Sequence, residues 1–127
     1  AMIIYISLTL YGSVIMAGQF KDNTSVWMRG AGVETDARPV PSGKHHKFNW
    51  VRWLSADSFI FGSDAGMNRD VWAMKLDGSE ERMLTRGPQA NVMPVGTADG
   101  RYIVFASFNE ESGMFALRRM GADGSAP

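Results

Sequence analysis

The chain is organised as short apolar runs that end at polar turns containing glycine. The run VWAMKL at residues 71–76 stops at Asp77-Gly78, and a related run at residues 117–122 stops at Asp123-Gly124. Asp-Gly suits a tight turn because glycine accepts positive φ angles. No stretch keeps apolar residues at i, i+3, i+4 and i+7, the spacing that an amphipathic helix requires. The pattern therefore predicts short strands joined by turns.

The order of runs and turns repeats along the chain. VWAMKLDGS at residues 71–79 is similar to LRRMGADGS at 117–125, 46 positions later, and SADSFIF at 55–61 is similar to TADGRYIVF at 97–105. A fainter copy is TLYGSVIM at residues 9–16. A period in the forties with several short strands in each unit is typical of propeller blades. We therefore expect an all-β fold, a partial β-propeller of about three four-stranded antiparallel blades whose last blade lacks its outer strand.

Aligning the copies gives four strand positions in each unit, within a single partial propeller whose blades are expected at residues 1–43, 44–88 and 89–127. In the first unit the strands are expected near Ile3–Leu10, Ser13–Phe20, Ser25–Gly30 and Ala37–Pro41. In the second they are expected near Phe48–Leu54, Ser58–Gly62, Asp70–Leu76 and Arg82–Thr85. In the third they are expected near Val92–Gly96, Arg101–Ser107 and Met114–Met120. Trp27 and Trp72 take the same place in successive units, which favours a role in blade packing.

The stretch Ala1–Phe20 carries no charged side chain. A run of about 20 apolar residues is the length of a membrane span. The stretch also contains Ser7, Thr9, Gly12 and many β-branched residues. No positive charge precedes its apolar part, as it would in a secretory signal. Two strands joined at Tyr11-Gly12 explain the same residues and fit the repeat, so we favour strands, with a membrane or targeting segment as the alternative.

The repeated unit resembles the TolB-like β-propeller repeat. The elements that carry the resemblance are Ala98-Asp99-Gly100, the strands at residues 102–105 and 71–74, the turn at 77–79 and the Met-Leu-Thr at 83–85. The resemblance covers residues 48–125 closely and 3–42 loosely. Repeats of this kind occur in Tol-associated periplasmic proteins, in sensor regions of bacterial receptor kinases and in the propeller caps of prolyl-oligopeptidase-like hydrolases. The resemblance alone implies a periplasmic or extracellular location, and the residues themselves leave the compartment unknown.

Composition excludes several functional classes. The 127 residues are 45% hydrophobic and 20% charged, which is enough to form a core. Lysine and arginine together number 13, as do aspartate and glutamate, so the basic excess typical of a nucleic-acid-binding protein is missing. The chain has no cysteine, which rules out disulfides and thiolate metal sites. We expect no nucleic-acid partner.

Motifs for catalysis or metal binding are weak. Asp64, Asn68 and Asp70 alternate like the ligands of a calcium loop, but Lys75 stands where such a loop needs a bidentate glutamate. The two histidines, His45 and His46, are adjacent and would point to opposite faces of a strand, so a solvated turn is favoured. No Gly-x-Ser-x-Gly motif is present. We therefore expect no catalytic residue, no metal and no cofactor.

We expect a non-catalytic repeat module that binds a protein or a small ligand on a propeller face or in its channel. Asn49, Arg52 and Asn91 are candidates to line the channel, and the polar loop with Asp64, Asn68 and Asp70 is a candidate contact surface. Three units cannot close a ring, so the missing blades would come from a longer parent chain, which we favour, or from self-association. The alternatives are part of the propeller cap of a prolyl-oligopeptidase-like serine hydrolase, or of the sensor propeller of a receptor kinase.

Overall fold

A computed structural model describes the backbone of residues 2–8, 14–20, 23–29, 38–41 and 48–125, and side chains for residues 24–29, 38–41 and 48–125. These residues form strands and turns and no helix. The strands make three antiparallel sheets, and neighbours within each sheet are consecutive in the chain. The all-β, partial-propeller expectation is confirmed, and we call the three sheets blades 1, 2 and 3.

Blade 1 contains β1 (Met2–Leu8), β2 (Val14–Phe20), β3 (Asn23–Arg29) and β4 (Arg38–Pro39). Blade 2 contains β5 (Asn49–Trp53), β6 (Ser58–Ser63), β7 (Asp70–Lys75) and β8 (Arg82–Met83). Blade 3 contains β9 (Ala90–Gly96), β10 (Tyr102–Asn109) and β11 (Met114–Gly121), and among the described residues no fourth strand lies beside β11. The fourth strand of blades 1 and 2 is only two residues long.

The pairing of the outer strands shows why Trp27 and Trp72 recur. Trp27 pairs with Pro39 of β4, and Trp72 pairs with Met83 of β8, so the two tryptophans hold equivalent positions. Pro39 lies on an outermost strand, where the N–H that proline lacks would have faced solvent. The predicted equivalence of the two tryptophans is therefore confirmed by the pairing.

Blade 2 is covered on both faces, by blade 1 on one side and by blade 3 on the other. Successive side chains of β6 point to opposite faces of the sheet, so they enter two different cores. Phe59 and Phe61 of β6 are fully buried in a cluster with Val26 of blade 1 and Trp72. Ile60, between them in the chain, is fully buried on the opposite face with residues of blade 3. A continuous apolar run is therefore the expected sequence for this strand, as it is for any strand covered on both sides.

Tight turns close the blades at one end. Asp77 Oδ1 accepts a hydrogen bond of 2.9 Å from the Ser79 amide, and Gly78 has a φ of 83°. A Cβ on Gly78 would lie 2.9 Å from Cβ of Pro41 in blade 1, so this turn also needs glycine to let the blades approach. The hydrogen bonds from the Ser79 hydroxyl and amide lower the pKa of Asp77.

The uncharged N-terminal stretch forms β1 and β2 across its described parts. No helix among the described residues is long and apolar enough to cross a membrane. The predicted turn at Tyr11-Gly12 and the pair His45-His46 lie outside the described residues.

Candidate functional site

Five of the six predicted binding residues lie at one end of the blades. β5, β7 and β9 all begin at this end, and the β6–β7 and β10–β11 loops close it; we call it the upper face. Asn49, Asn91 and Asp70 lie at the starts of these strands, and Asp64 and Asn68 lie in the β6–β7 loop. Arg52 lies three positions further along β5.

Asp70 and Asn91 meet in a buried polar network between blades 2 and 3. Asp70 Oδ1 accepts a hydrogen bond of 2.6 Å from the Thr85 hydroxyl and one of 3.1 Å from Nδ2 of Asn91. Thr85 Oγ1 in turn accepts the amide of Val71 at 3.0 Å. All three polar residues are buried, at 3%, 8% and 6% exposure for Asp70, Thr85 and Asn91. Their side chains are therefore committed to each other and hold the two blades in register.

The other predicted residues have local partners or face solvent. Nδ2 of Asn68 donates to the Gly87 carbonyl at 2.8 Å, which ties the β6–β7 loop to the segment before β9. Arg52 Nη1 donates to the Val51 carbonyl at 2.9 Å and is half-buried, as is Asn49. Asp64 is exposed. The roles of these residues in binding remain predictions.

The calcium-like pattern does not converge on one point in the described part of the chain. Among the residues described, no group of three or more histidine, cysteine, aspartate or glutamate side chains could hold a metal ion. The carboxylates of Asp64 and Asp70 do not face a common point, because Asp70 is buried at the junction between blades whereas Asp64 is exposed to solvent.

The first strands of blades 2 and 3, β5 and β9, carry a feature that the sequence did not reveal. Trp50 and Met93 have positive φ angles of 51° and 54°. Each lies where the pairing register shifts, so β5 and β9 bulge at equivalent places. A non-glycine residue in this conformation costs about 1–3 kcal/mol, and such strain clusters at binding sites. Neither tryptophan nor methionine favours positive φ angles, so the residue types do not predict these bulges.

The strained residues border a pocket on the upper face. It has a volume of about 440 Å³ and is lined by Trp50, Arg69, Ala90, Val92, Met93, Phe108 and Phe115. The rings of Phe108 and Phe115 lie 4.9 Å apart. Met93 is 44% exposed and Phe115 is 57% exposed, so large apolar side chains face solvent around a single guanidinium. Exposed apolar clusters of this kind mark interaction surfaces.

Known structures support the architecture, whereas comparisons by sequence find no relative. No protein-family model and no curated protein matches the sequence. A solved structure of a protein assigned as TolB from Agrobacterium tumefaciens superposes with a TM-score of 0.81 at 16% identity, covering 98% of this chain and 47% of that chain. TolB from Acinetobacter baumannii superposes with a TM-score of 0.66 at 16% identity, covering 88% of this chain and 31% of that one.

The chain thus spans less than half the length of each of these two solved structures. At this identity the likeness concerns the fold alone. The protein therefore has the TolB-like β-propeller fold, present here as three successive blades.

Proposed function

We propose that this chain is a non-catalytic propeller module that binds a protein partner or small ligand through its upper face, as part of a larger propeller. The observation that carries the proposal is the apolar pocket beside the strained bulges at Trp50 and Met93. Loops at the end of a rigid β-scaffold are the usual place for recognition. The volume of about 440 Å³ lies within the range of small-ligand clefts.

The chemistry of the pocket suits an apolar side chain beside a negative group. Phe108, Phe115 and Met93 provide the apolar contact, and the guanidinium of Arg69 is the cation on its rim. Aromatic and methionine side chains are enriched at the centres of protein interfaces. On this proposal the loop residues Asp64 and Asn68 contact the partner at the periphery, while Asn49 and Arg52 line the channel side. Asn91 is buried against Asp70 and supports the upper face from within.

Selection of peptides tests this proposal. A phage-displayed random peptide library is selected on the wild-type chain, and the enriched peptides are then measured on Phe115→Ser and on Val95→Ser. Val95 is also an exposed apolar residue, but it lies towards the other end of β9 and does not line the pocket, so it is the matched control. We expect peptides with an apolar anchor that lose at least about tenfold in affinity on Phe115→Ser only. No enrichment, or equal loss on both variants, contradicts the proposal.

The exposed face of blade 3 supports membership of a larger propeller. Val71 of blade 2 pairs with Gly62, and Leu117 of blade 3 pairs with Ala106, at equivalent places in the two blades. Val71 is 0% exposed because blade 3 covers it, whereas Leu117 is 82% exposed. A face that is covered in one blade and open in the next is expected to receive another sheet, from a longer parent chain or from a second copy.

Solution mass tests that part of the proposal. We expect the 127-residue chain to self-associate at micromolar concentration, and Leu117→Lys to shift it toward monomer. Met67→Lys adds the same charge away from the sheet face and should leave the mass unchanged. A monomer at all concentrations, or equal effects of the two variants, would contradict the proposal. The hydrolase-cap and receptor-kinase alternatives draw no support from the comparisons.

A further inference from the structure

A groove runs along the outer side of the junction between blades 2 and 3. It has a volume of about 490 Å³ and extends from Gln89 and Asn91 near the upper face to the turn at Asp123–Ser125. Leu84, Phe105 and Met120 form an apolar floor. The groove shares no lining residue with the upper-face pocket, so it is a separate site.

One substitution between repeats explains why the groove exists. Trp72 pairs with Phe61 in blade 2, and Arg118 pairs with Phe105 at the equivalent place in blade 3. Trp72 is buried and belongs to the core between blades 1 and 2. Arg118 is exposed and lines the groove. The indole of Trp72 therefore fills the junction between blades 1 and 2, whereas the exposed guanidinium of Arg118 leaves the junction between blades 2 and 3 open.

The groove carries an excess of positive charge. Arg82, Arg86 and Arg118 line it, against the single carboxylate of Asp123. Within the described part of the chain, none of the three guanidiniums forms a hydrogen bond or an ion pair. Asp123 is engaged with its own turn, since its Oδ1 accepts the Ser125 amide at 2.9 Å. The donors of three arginines are thus available to a bound acceptor.

A serine hydroxyl opens into the same groove. Ser107 is 4% exposed and lines the groove, and its hydroxyl has no hydrogen-bond partner among the described residues. The equivalent Ser63 in blade 2 is 2% exposed, and its Oγ accepts the Ala65 amide at 3.2 Å. Because Ser107 lines the open groove, its hydroxyl is accessible to water there and can donate a hydrogen bond to a bound acceptor.

We propose that this groove binds an extended acidic segment of a partner protein, with its carboxylates on the arginines and an apolar side chain on the floor. Arginine suits carboxylates because its planar fork can donate two parallel hydrogen bonds. The groove extends from Gln89 and Asn91 to the turn at Asp123–Ser125, with its arginines spread along it, and this length favours an extended peptide over a small inorganic anion. The neutral balance of the whole chain disfavours a nucleic acid, whose binding relies on a broad basic surface.

Fluorescence anisotropy with a labelled peptide tests the assignment. The probe is an eight-residue peptide that alternates aspartate or glutamate with leucine, and its partner probe carries asparagine and glutamine at the acidic positions. We expect the acidic probe to bind the wild-type chain at least about fivefold more tightly than the amide probe, with an affinity that falls as salt increases. Equal binding of the two probes would overturn the proposal.

Matched variants locate the binding on the molecule. Arg118→Gln should weaken the acidic probe about fivefold, whereas Arg119→Gln should change it less than about twofold. Arg119 is the next residue of β11 but lies against the ring of Tyr102, on the face turned away from the groove. Equal losses would mean that only net charge matters, which overturns the site.

Three further outcomes separate this proposal from others. Ser107→Ala should weaken the acidic probe without changing the thermal midpoint by more than a few degrees, and an unchanged affinity would remove the hydroxyl from the site. Inorganic phosphate that displaces the probe at the probe's own concentration would show a simple anion site instead. Phe115→Ser, which alters the upper-face pocket, should leave this binding intact, so either proposal can fail alone.

Discussion

The network around Asp70 gives the sharpest test of how the blades are held together. Asp70→Ala removes the acceptor that both Thr85 and Asn91 use, and leaves two buried donors without that partner. Asp70 lies at the junction of blades 2 and 3 and belongs to neither apolar core cluster. We therefore expect the change to lower the free energy of unfolding through hydrogen bonding and not through cavity formation.

The magnitude follows from the two hydrogen bonds. A hydrogen bond to a charged group contributes about 1.5–3 kcal/mol, so the two together contribute roughly 3–6 kcal/mol. Part of this is offset because the variant no longer buries a carboxylate, whose removal from water is costly. We expect a net loss of about 3 kcal/mol, a large part of the roughly 5–15 kcal/mol that stabilises a typical domain.

Urea unfolding followed by tryptophan fluorescence measures this loss as a lower midpoint at unchanged slope. Asp64→Ala is the matched control, because Asp64 is exposed in the loop that precedes β7. That control should change stability by less than about 0.5 kcal/mol. A double-mutant cycle with Asn91→Ala should give a coupling of about 1 kcal/mol or more. A loss below about 1 kcal/mol for Asp70→Ala, or no coupling, would refute the reasoning.

Three other predictions concern packing, turns and pH. Ile60 is fully buried, so Ile60→Ala should cost about 2–5 kcal/mol in urea unfolding, and a loss under about 1 kcal/mol would mean that the junction collapses around it. Gly78→Ala should destabilise more than Gly100→Ala, because both glycines have positive φ angles but only at Gly78 would the new methyl meet the neighbouring blade. The Ser79 hydrogen bonds hold the pKa of Asp77 in the folded chain below its ordinary 3.8. The ionised Asp77 carboxylate therefore stabilises the fold above that ordinary value, and this stabilisation is lost as the pH falls through the lower pKa of the folded chain. Acid unfolding should therefore show Asp77→Asn converging with the wild type below about pH 4, and a constant difference down to about pH 2 would contradict this.

The repeat could be found in the sequence because each blade is built from the same short strands and glycine turns. Asp-Gly at residues 77–78 and 123–124 fixes turns through glycine's tolerance of positive φ, and that preference is a property of the dipeptide itself. The alternation of Phe59, Ile60 and Phe61 into two cores follows from strand geometry. The strand predicted near Phe48–Leu54 is seen as Asn49–Trp53, which differs only at its ends, where the limits of elements are least sharply defined.

The surroundings of the candidate binding residues were harder to predict, because they come from other blades. In the sequence Asp70 has the spacing of a loop ligand, but Thr85, 15 residues away, and Asn91, 21 residues away, draw it into a blade junction. The strained bulge at Trp50 and Met93 depends on pairing with β6 and β10 and not on residue type. The arginine groove needs the register that aligns Arg118 with Trp72.

The sequence by itself determined that this chain is a series of short strands with glycine turns at a regular period, because turn and strand preferences act over a few neighbouring residues. Tertiary structure alone decided which polar side chains are buried partners, where the first strands of blades 2 and 3 bulge and which junction between blades stays open. Those outcomes depend on contacts between residues far apart in the chain, whose free energy exists only once the blades are stacked.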